Sequence, residues 1–137
     1  MKTLADPFMT EDTAAWAKEM GVEKTTRDYK DILNDPQIDA VLICSSTDTH
    51  STISVEAIEA GKHVFCEKPI DHDVKKIQEV VDALKKSNVK YQVGFNRRFD
   101  HNFEAVRDAV AAGKIGETQI IKVTSRDPEP PSADYVK

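Results

Sequence analysis

The sequence contains little glycine and no glycine-rich turn. Five of its 137 residues are glycine, and no two of them are separated by a single residue. The phosphate-binding loops of dinucleotide and P-loop proteins need closely spaced glycines. Neither a G-x-G-x-x-G nor a Walker A fingerprint is therefore present in these 137 residues. The glycines stand at positions 21, 61, 94, 113 and 116.

Basic residues and long apolar runs are also scarce. Nineteen Lys and Arg against 24 Asp and Glu give a net charge of −5, whereas a nucleic-acid surface usually carries a basic patch. No apolar run approaches the roughly 20 residues that span a membrane, and residues 1–7 lack the apolar core of a signal peptide. We therefore expect a cytoplasmic protein that binds neither nucleic acid nor membrane.

The cysteines and histidines give no sign of a metal site. Cys44 and Cys66 lie in apolar segments without C-x-x-C spacing, which predicts buried, reduced thiols. The four histidines show no H-x-x-x-H spacing and form no set with the cysteines. We expect no bound metal.

Short apolar runs alternate along the chain with stretches of helical periodicity. Thr10 is placed to cap one helix, and Asp71 or Asp73 to cap another with an apolar face. The alternation predicts βαβ units and a parallel sheet. The continuous apolar run Ala40–Cys44 predicts a strand covered on both faces. The predicted strands are 4–5, 40–44, 63–66, 91–95 and 120–123.

Polar residues follow the first two of these strands, where parallel sheets place their ligands. The Asp6 carboxylate could accept hydrogen bonds from the hydroxyls of an adenosine ribose, although Asp6-Pro7 alone is more typical of an ordinary turn. The turn Ser45–His50 offers hydroxyls and free backbone N–H groups that suit a diphosphate or ribose. Helix capping by residues 47–49 explains that turn equally well.

Charged residues follow the next two strands. Pro69 fixes the backbone after Glu67 and Lys68, which would hold Lys68 near a ligand cleft, where it could exchange a proton with a substrate hydroxyl. A surface Glu–Lys pair is the alternative. Farther on, Gly94 permits close approach of another group. Arg97 and Arg98 could then clamp a hydroxylated or anionic substrate, or could be solvated or paired with nearby carboxylates.

Several segments together resemble one known family. Cys66-Glu67-Lys68-Pro69-Ile70, following Ala60–Val64, is the most specific element, and Gly94–Asp100 is another. With Ala5–Pro7, Asp39–Ser45 and Thr49-His50, they are similar to the glucose–fructose oxidoreductase, inositol dehydrogenase and rhizopine-catabolism (Gfo/Idh/MocA) family of NAD(P)-dependent oxidoreductases. Residues 125–137 are most similar to inositol 2-dehydrogenases.

The resemblance implies a fold and a reaction. The fold is α/β, an incomplete Rossmann-like, doubly wound parallel sheet, with residues 1–95 forming a partial NAD(P)-binding domain. Residues 96–137 would supply a connecting helix and the first strand of a second, α+β domain for substrate binding and oligomerisation. The implied reaction moves a hydride between NAD and a cyclitol or sugar hydroxyl, in an enzyme that is a homo-oligomer when complete.

The resemblance also implies roles for individual residues. Asp6 would select NAD by occupying the place of a 2′-phosphate. Lys68 would be catalytic, hydrogen-bonded to the reacting hydroxyl. The cofactor would be bound by Asp6, Ser45, Ser46, His50, Glu67, Lys68 and Arg97. The substrate would be bound by Lys68, Arg97 and Asp127.

Two parts of the family pattern are missing from these residues. The family opens with a strand and a G-x-G-x-x-G turn about 30 residues before the position of Asp6. It also carries an aspartate and a proton-accepting histidine beyond the segment that ends at Lys137. We therefore expect a piece of a longer enzyme that is inactive alone. The alternative is a non-catalytic binding module or subunit that needs a partner chain.

Overall fold

The computed structural model describes residues 1–126 and 128–130. The chain divides into two compact units, residues 1–95 and residues 96–137. Each unit is taken by itself below.

The first unit contains five short strands in two sheets, and every strand pair is parallel. One sheet pairs β1 with β2, and the other has the order β3-β4-β5. Within the second sheet, Ile43 lies opposite Cys66 and Cys66 opposite Val93. The strands are β1 Thr3–Ala5, β2 Lys24–Thr26, β3 Ala40–Ile43, β4 His63–Cys66 and β5 Tyr91–Val93.

Helices connect the strands of the first unit. Helix α1 spans Glu11–Glu19, α2 Lys30–Leu33, α3 Thr47–Glu59 and α4 Val74–Lys85. Parallel strands joined by helical crossovers form the βαβ units of a Rossmann-like fold. The predicted Rossmann-like α/β fold is confirmed.

Local sequence signals set the ends of these helices. The Thr10 hydroxyl accepts a hydrogen bond from the backbone N–H of Thr13 at 3.1 Å, as an N-cap does. Of the two aspartates considered for α4, Asp73 is the cap, and its carboxylate accepts from the N–H of Lys75 at 2.8 Å. Gly61 follows α3 with a φ of +75°, a conformation that glycine adopts without a steric penalty.

The core lies on one face of the three-stranded sheet. Side chains from β3 and β4 pack there against α3 and α4. The opposite face of β3 is open, since Leu42 is 71% exposed and Ala40 is also exposed. The prediction that Ala40–Cys44 is covered on both faces is therefore wrong, because no described element packs over Leu42. The buried core residues of this cluster are Val41, Ile43, Ala57, Ile58, Val64, Cys66 and Val80.

The second unit contains a 3₁₀ turn, Asn96–Phe99, and helix α5, His101–Ala111. Asp100 caps α5, with its carboxylate accepting from the N–H groups of Asn102 and Phe103. The predicted strand at 120–123 is wrong, since these residues are exposed and belong to no strand. A strand requires a neighbouring strand for its backbone hydrogen bonds, and no described residues pair with this segment.

Two further expectations need correction. Cys44 is exposed rather than buried, because β3 ends at Ile43 and Cys44 opens the turn; Cys66 is buried and both thiols are free. Strand β2 was not predicted, because Lys24-Thr25-Thr26 has no apolar run. It forms by pairing with β1, and this pairing cannot be predicted from the local sequence.

Two valines on α4 test the one-sided core. Val80 is 2% exposed and Val74 is 77% exposed. Val80→Ala should lower the free energy of unfolding by about 1.5–3 kcal/mol, through lost apolar burial and a cavity. The matched change Val74→Ala should have little effect in the same urea titration. Equal losses at the two positions would contradict this assignment of the core.

Candidate active site

The carboxyl ends of β3, β4 and β5 meet at one edge of the sheet. The backbone N–H of Glu67 donates to the carbonyl of Ile43 at 2.9 Å, and the N–H of Gly94 donates to the carbonyl of Cys66 at 2.8 Å. The strand ladder thus continues one residue past β4 and β5. Residues that follow the three strands are therefore brought side by side, as the parallel arrangement predicted.

Glu67 lies against Gly94 at this edge. A Cβ atom added to Gly94 would be 3.0–3.1 Å from the carboxyl atoms of Glu67, closer than ordinary van der Waals contact. The same carboxylate accepts from the N–H of Lys68 at 3.3 Å. The sequence predicted a close approach at Gly94, and in the structure the approaching group is the Glu67 carboxylate. Glycine at position 94 leaves room for this negative charge.

Lys68 and Pro69 continue the turn after β4. Both residues are exposed, and the peptide bond between them is cis. Among the described residues, the Lys68 ammonium has no ion-pair partner, so the surface Glu–Lys pair considered from sequence is not formed. An unpaired ammonium next to the Glu67 turn is available to a ligand.

The turn after β3 presents hydroxyl groups at the start of α3. The Thr49 hydroxyl donates to the carbonyl of Ser46 at 2.7 Å, and it also lies 2.7 Å from the hydroxyl of Ser45. Because Thr49 has one hydroxyl proton, Ser45 is the donor in that second bond and keeps its lone pairs. Ser46 is the N-cap residue, but its side chain makes no capping bond. Both serine oxygens can therefore accept hydrogen bonds.

His50 is buried between two turns. Its side chain is 2% exposed. Nε2 lies 2.9 Å from the carbonyl oxygen of Ser45, and Nδ1 lies 2.8 Å from the carbonyl oxygen of Pro69. Both ring nitrogens therefore lie within hydrogen-bond distance of main-chain carbonyl oxygens. The predicted role of His50 in lining a cofactor stays a prediction.

Asp6 directly follows β1, in the other sheet. Its backbone N–H donates to the carbonyl of Thr26 at 3.0 Å, and its Oδ1 accepts from the N–H of Phe8 at 2.8 Å. These contacts form the ordinary turn that was one of the two sequence interpretations. They engage one carboxylate oxygen, and Oδ2 has no hydrogen-bond partner within the described part of the chain. A ribose role for Asp6 is thus compatible with its turn.

Arg97 and Arg98 belong to the second unit. Both are exposed, and the Arg97 guanidinium lies 5.7 Å from the centre of the Phe103 ring. The nearby carboxylates are already engaged, since Asp100 caps α5 and Glu104 pairs with Arg107. No ion pair of Arg97 or Arg98 is formed within residues 1–126. Asp127, the third residue predicted to bind substrate, lies outside the described residues.

Sequence reasoning missed a buried carboxylate that anchors the segment after Pro69. Asp71 is 6% exposed, and it accepts from the Ser51 hydroxyl at 2.5 Å and from the N–H of Asp73 at 2.9 Å. These hydrogen bonds, the Ser51 bond first, lower the pKa of Asp71, so it is ionised at neutral pH. The sequence suggested only a helix cap here, and the partner Ser51 lies 20 residues away.

The Cys44 thiol lies next to this edge and is held in its protonated form. Partial burial, and then the neighbouring Glu67 charge, raise the pKa of Cys44, which keeps the thiol protonated at neutral pH. Burial likewise raises the pKa of Cys66.

Within residues 1–126 and 128–130, no group of three His, Cys, Asp or Glu side chains could hold a metal ion. No helix of that part is long and apolar enough to cross a membrane.

Comparison with known proteins identifies the family of this chain. Residues 4–95 match the family model described as "Oxidoreductase family, NAD-binding Rossmann fold". The chain belongs to the Gfo/Idh/MocA oxidoreductase family. The resemblance inferred from the sequence is confirmed, and residues 4–95 are an NAD-binding Rossmann region.

The curated relatives of this family member include inositol dehydrogenases. Myo-inositol 2-dehydrogenase of Thermotoga maritima is 44% identical over 120 residues, which cover 88% of this chain and 36% of that protein. Inositol 2-dehydrogenase of Rhizobium meliloti is 48% identical over 100 residues, 73% of this chain and 30% of that protein. The chain thus spans about a third of the length of these relatives.

Solved structures of the family agree. A probable dehydrogenase from Thermotoga maritima superposes with a TM-score of 0.92 at 41% identity, covering 99% of this chain and 41% of that one. Scyllo-inositol dehydrogenase from Lactobacillus casei, solved with NAD(H) and scyllo-inositol, has a TM-score of 0.79 at 35% identity. This match covers 85% of the present chain and 34% of that chain.

The contact between Gly94 and Glu67 can be tested by a double-mutant cycle. Gly94→Ala should cost about 1 kcal/mol of unfolding free energy, the lower end of the range for overpacking, because the tip of the Glu67 side chain must shift by a few tenths of an ångström to make room for the new methyl group. In a Glu67→Ala background the same change should cost less than about 0.5 kcal/mol, because the obstructing group is gone. Equal costs in the two backgrounds, measured by urea unfolding, would contradict the contact.

Proposed function

We propose that this chain supplies the cofactor-binding part of an NAD-dependent inositol 2-dehydrogenase, or of a close relative acting on another cyclitol or sugar. The observation that carries the proposal is the edge where Ser45, Glu67 and Lys68 follow adjacent parallel strands. Identity of 44% and 48% to two inositol 2-dehydrogenases supports the choice of substrate. The complete enzyme is proposed to be a cytoplasmic homo-oligomer.

The residues at the strand ends fit the parts of NAD. Ser45 and Ser46 offer hydroxyl groups at the start of α3, where free N–H groups and the helix dipole favour the negative charge of a diphosphate. The Glu67 carboxylate suits a hydroxyl of the nicotinamide ribose. The unpartnered oxygen of Asp6 suits the adenosine ribose, and its charge would disfavour the 2′-phosphate of NADP. His50 supports the two turns from beneath.

Lys68 is the proposed catalytic residue. Its ammonium would hydrogen-bond the oxygen of the reacting hydroxyl and stabilise negative charge that develops there. Bound NAD would supply the acceptor for the hydride, which leaves the substrate carbon with its two electrons. The hydroxyl proton passes to a base, and the product is a ketone. Arg97 is proposed to contact both cofactor and substrate, and Asp127 the substrate.

This chain alone is proposed to bind NAD without turning over substrate. Its 137 residues contain no G-x-G turn, so the diphosphate would be held less completely than in proteins that carry the fingerprint. We therefore expect no NADH production from myo-inositol by the purified chain.

Calorimetric titration with NAD tests the proposed site. Glu67→Gln should weaken NAD binding about tenfold, equivalent to ~1.4 kcal/mol, because it removes a charge-assisted hydrogen bond. Glu79→Gln, a matched change at an exposed position on α4, should leave the affinity unchanged. NADP should bind more weakly than NAD. An absence of NAD binding, or equal effects of the two variants, would contradict the proposal.

A second candidate is a non-catalytic module that completes its sheet with another chain. Among the described strands, β1 pairs only with β2, and β3 pairs only with β4. Each of these two strands therefore has one side along which the backbone donors and acceptors are unpaired. Such a side favours pairing with a further strand.

Sedimentation of the purified chain discriminates this second candidate. Pairing through the unpaired sides of β1 and β3 predicts self-association of the chain that increases with protein concentration. This self-association should persist when NAD is added. A strictly monomeric species that unfolds in one cooperative transition would count against a module that depends on a partner.

A further inference from the structure

The first unit consists of two lobes that carry different parts of the proposed cofactor site. The first lobe, residues 1–26, contains β1, α1 and β2 and carries Asp6. The second lobe, residues 29–95, carries the turns after β3 and β4. We propose that Asp35 is a positioning residue, which holds the first lobe through Lys2 at the spacing that one NAD molecule needs to reach both lobes. The consequence for NAD rests on the proposed function, whereas the contact between the lobes does not.

Among the described residues, the two lobes share neither a sheet nor an apolar core. Strand β1 pairs only with β2, whereas β3, β4 and β5 form a separate sheet. The buried cluster under α3 and α4, and the partly buried apolar side chains that pack against it, all belong to the second lobe. The buried apolar side chains of the first lobe, Met9, Ala17 and Val22, lie outside this cluster. Neither strand pairing nor a common core therefore fixes the spacing of the lobes.

A polar joint connects the lobes at the amino ends of their strands. The Lys2 ammonium, just before β1, lies 3.2 Å from Oδ2 of Asp35, and it also donates to the side-chain oxygen of Gln37. Asp35 and Gln37 lie in the segment between α2 and β3. The hydrogen bond from the Gln37 N–H, and then that from Lys2, lower the pKa of Asp35, so its carboxylate is ionised at neutral pH. The joint is thus an ion pair supported by hydrogen bonds.

Asp35 is anchored to the second lobe by its own surroundings. Its Oδ1 accepts from the N–H of Gln37 at 2.8 Å, which directs Oδ2 towards Lys2. The carbonyl oxygens of Asp35 and Ile38 both accept from Nζ of the buried Lys62, each at 2.7 Å. Lys62 directly precedes β4, the strand whose carboxyl end leads into the candidate site. The carboxylate that holds the first lobe is therefore fixed relative to the second.

The joint is the second of two attachments between the lobes. The chain itself passes from one lobe to the other after β2, where the Thr26 hydroxyl donates to the Asp31 carboxylate. One attachment would let the first lobe rotate about this passage, and the Lys2 contact at the other end of the sheet opposes that rotation. Because Asp6 directly follows β1, such a rotation would move it relative to the turns after β3 and β4. A ligand that must contact both lobes binds best when their spacing is already set.

Spin-label distances in the 137-residue chain test the joint without a ligand. Labels are attached at Glu19→Cys on α1 and Glu59→Cys on α3, both exposed positions. The background is Cys44→Ser, because Cys44 is an exposed thiol, whereas Cys66 is buried. The labelled chain should give one narrow distance distribution. Asp35→Asn removes the charge with little change in volume, and it should broaden that distribution.

Matched variants separate the joint from a general loss of ion pairs. Asp82→Asn breaks a pair with Lys85 that has the same 3.2 Å separation but lies within α4, so it should leave the distribution narrow. Lys2→Arg retains the joint and should also leave it narrow, whereas Lys2→Met should broaden it. Equal widths in the Asp35→Asn and Asp82→Asn chains would overturn the proposal even if both chains are fully folded.

Calorimetric titration with NAD tests the positioning role. Asp35→Asn should weaken NAD binding about two- to fivefold, the range expected when the complex loses one exposed ion pair. Saturating NAD should narrow the distance distribution of this variant again, because the ligand then bridges the lobes. Asp82→Asn should bind NAD as the intact chain does. Unchanged affinity of the Asp35→Asn chain would overturn the positioning role.

The outcomes separate this inference from the proposed function. Absence of NAD binding by the intact chain would contradict the proposed function. In that case the spin-label distances decide the inference alone, and it fails if Asp35→Asn leaves the spacing of the lobes as narrow as in the intact chain.

Discussion

Ile43, Cys66 and Val93 lie on one line across the three-stranded sheet, and the positions of the candidate site residues follow from that register. A slip of one residue in β4 would turn Val64 and Cys66 away from the core and would also move Glu67 away from Gly94. Burial of Val64 and Cys66 under α3 therefore fixes the register. The hydrophobic core and the geometry of the site have the same physical cause.

The strand register brings the turns after β3 and β4 together, and polar contacts to the main chain then fix the conformation of these turns. His50 joins two carbonyl groups, and Asp71 joins the Ser51 hydroxyl to the backbone of Asp73. Among the described residues no buried side-chain polar atom lacks a partner. Buried polar groups without partners are costly, so each of these contacts restricts the turns to one arrangement. Turns held in this way need less ordering when a ligand binds.

The sequence determined the strands and the helix caps well where the signal is local. Thr10 and Asp73 cap helices through backbone N–H groups two or three residues away, a distance over which residue types are informative. Strand β2 and the exposure of Cys44 escaped prediction, because pairing with β1 and the end of β3 depend on the assembled sheet.

For the candidate site, the sequence predicts which residues follow the strands, but not which groups those residues contact. The residues that follow β3, β4 and β5 lie side by side, as parallel topology predicts. The partners of His50 and Gly94 were not predicted, because Pro69 is 19 residues from His50 and Glu67 is 27 positions before Gly94. Contacts between different turns depend on register and side-chain direction, which a single sequence does not display.

The opposite charges of the neighbouring residues Glu67 and Lys68 bear on the proposed reaction. Oxidised nicotinamide is a cation, so a carboxylate close to its ribose favours the oxidised form electrostatically. An ammonium on the next residue favours negative charge on the substrate oxygen. The Glu67 carboxylate accepts from the backbone N–H of Lys68, and among the described residues the two side chains form no ion pair. Two opposite charges that are not paired with each other would both be available to a bound cofactor and substrate, as the proposed hydride transfer requires.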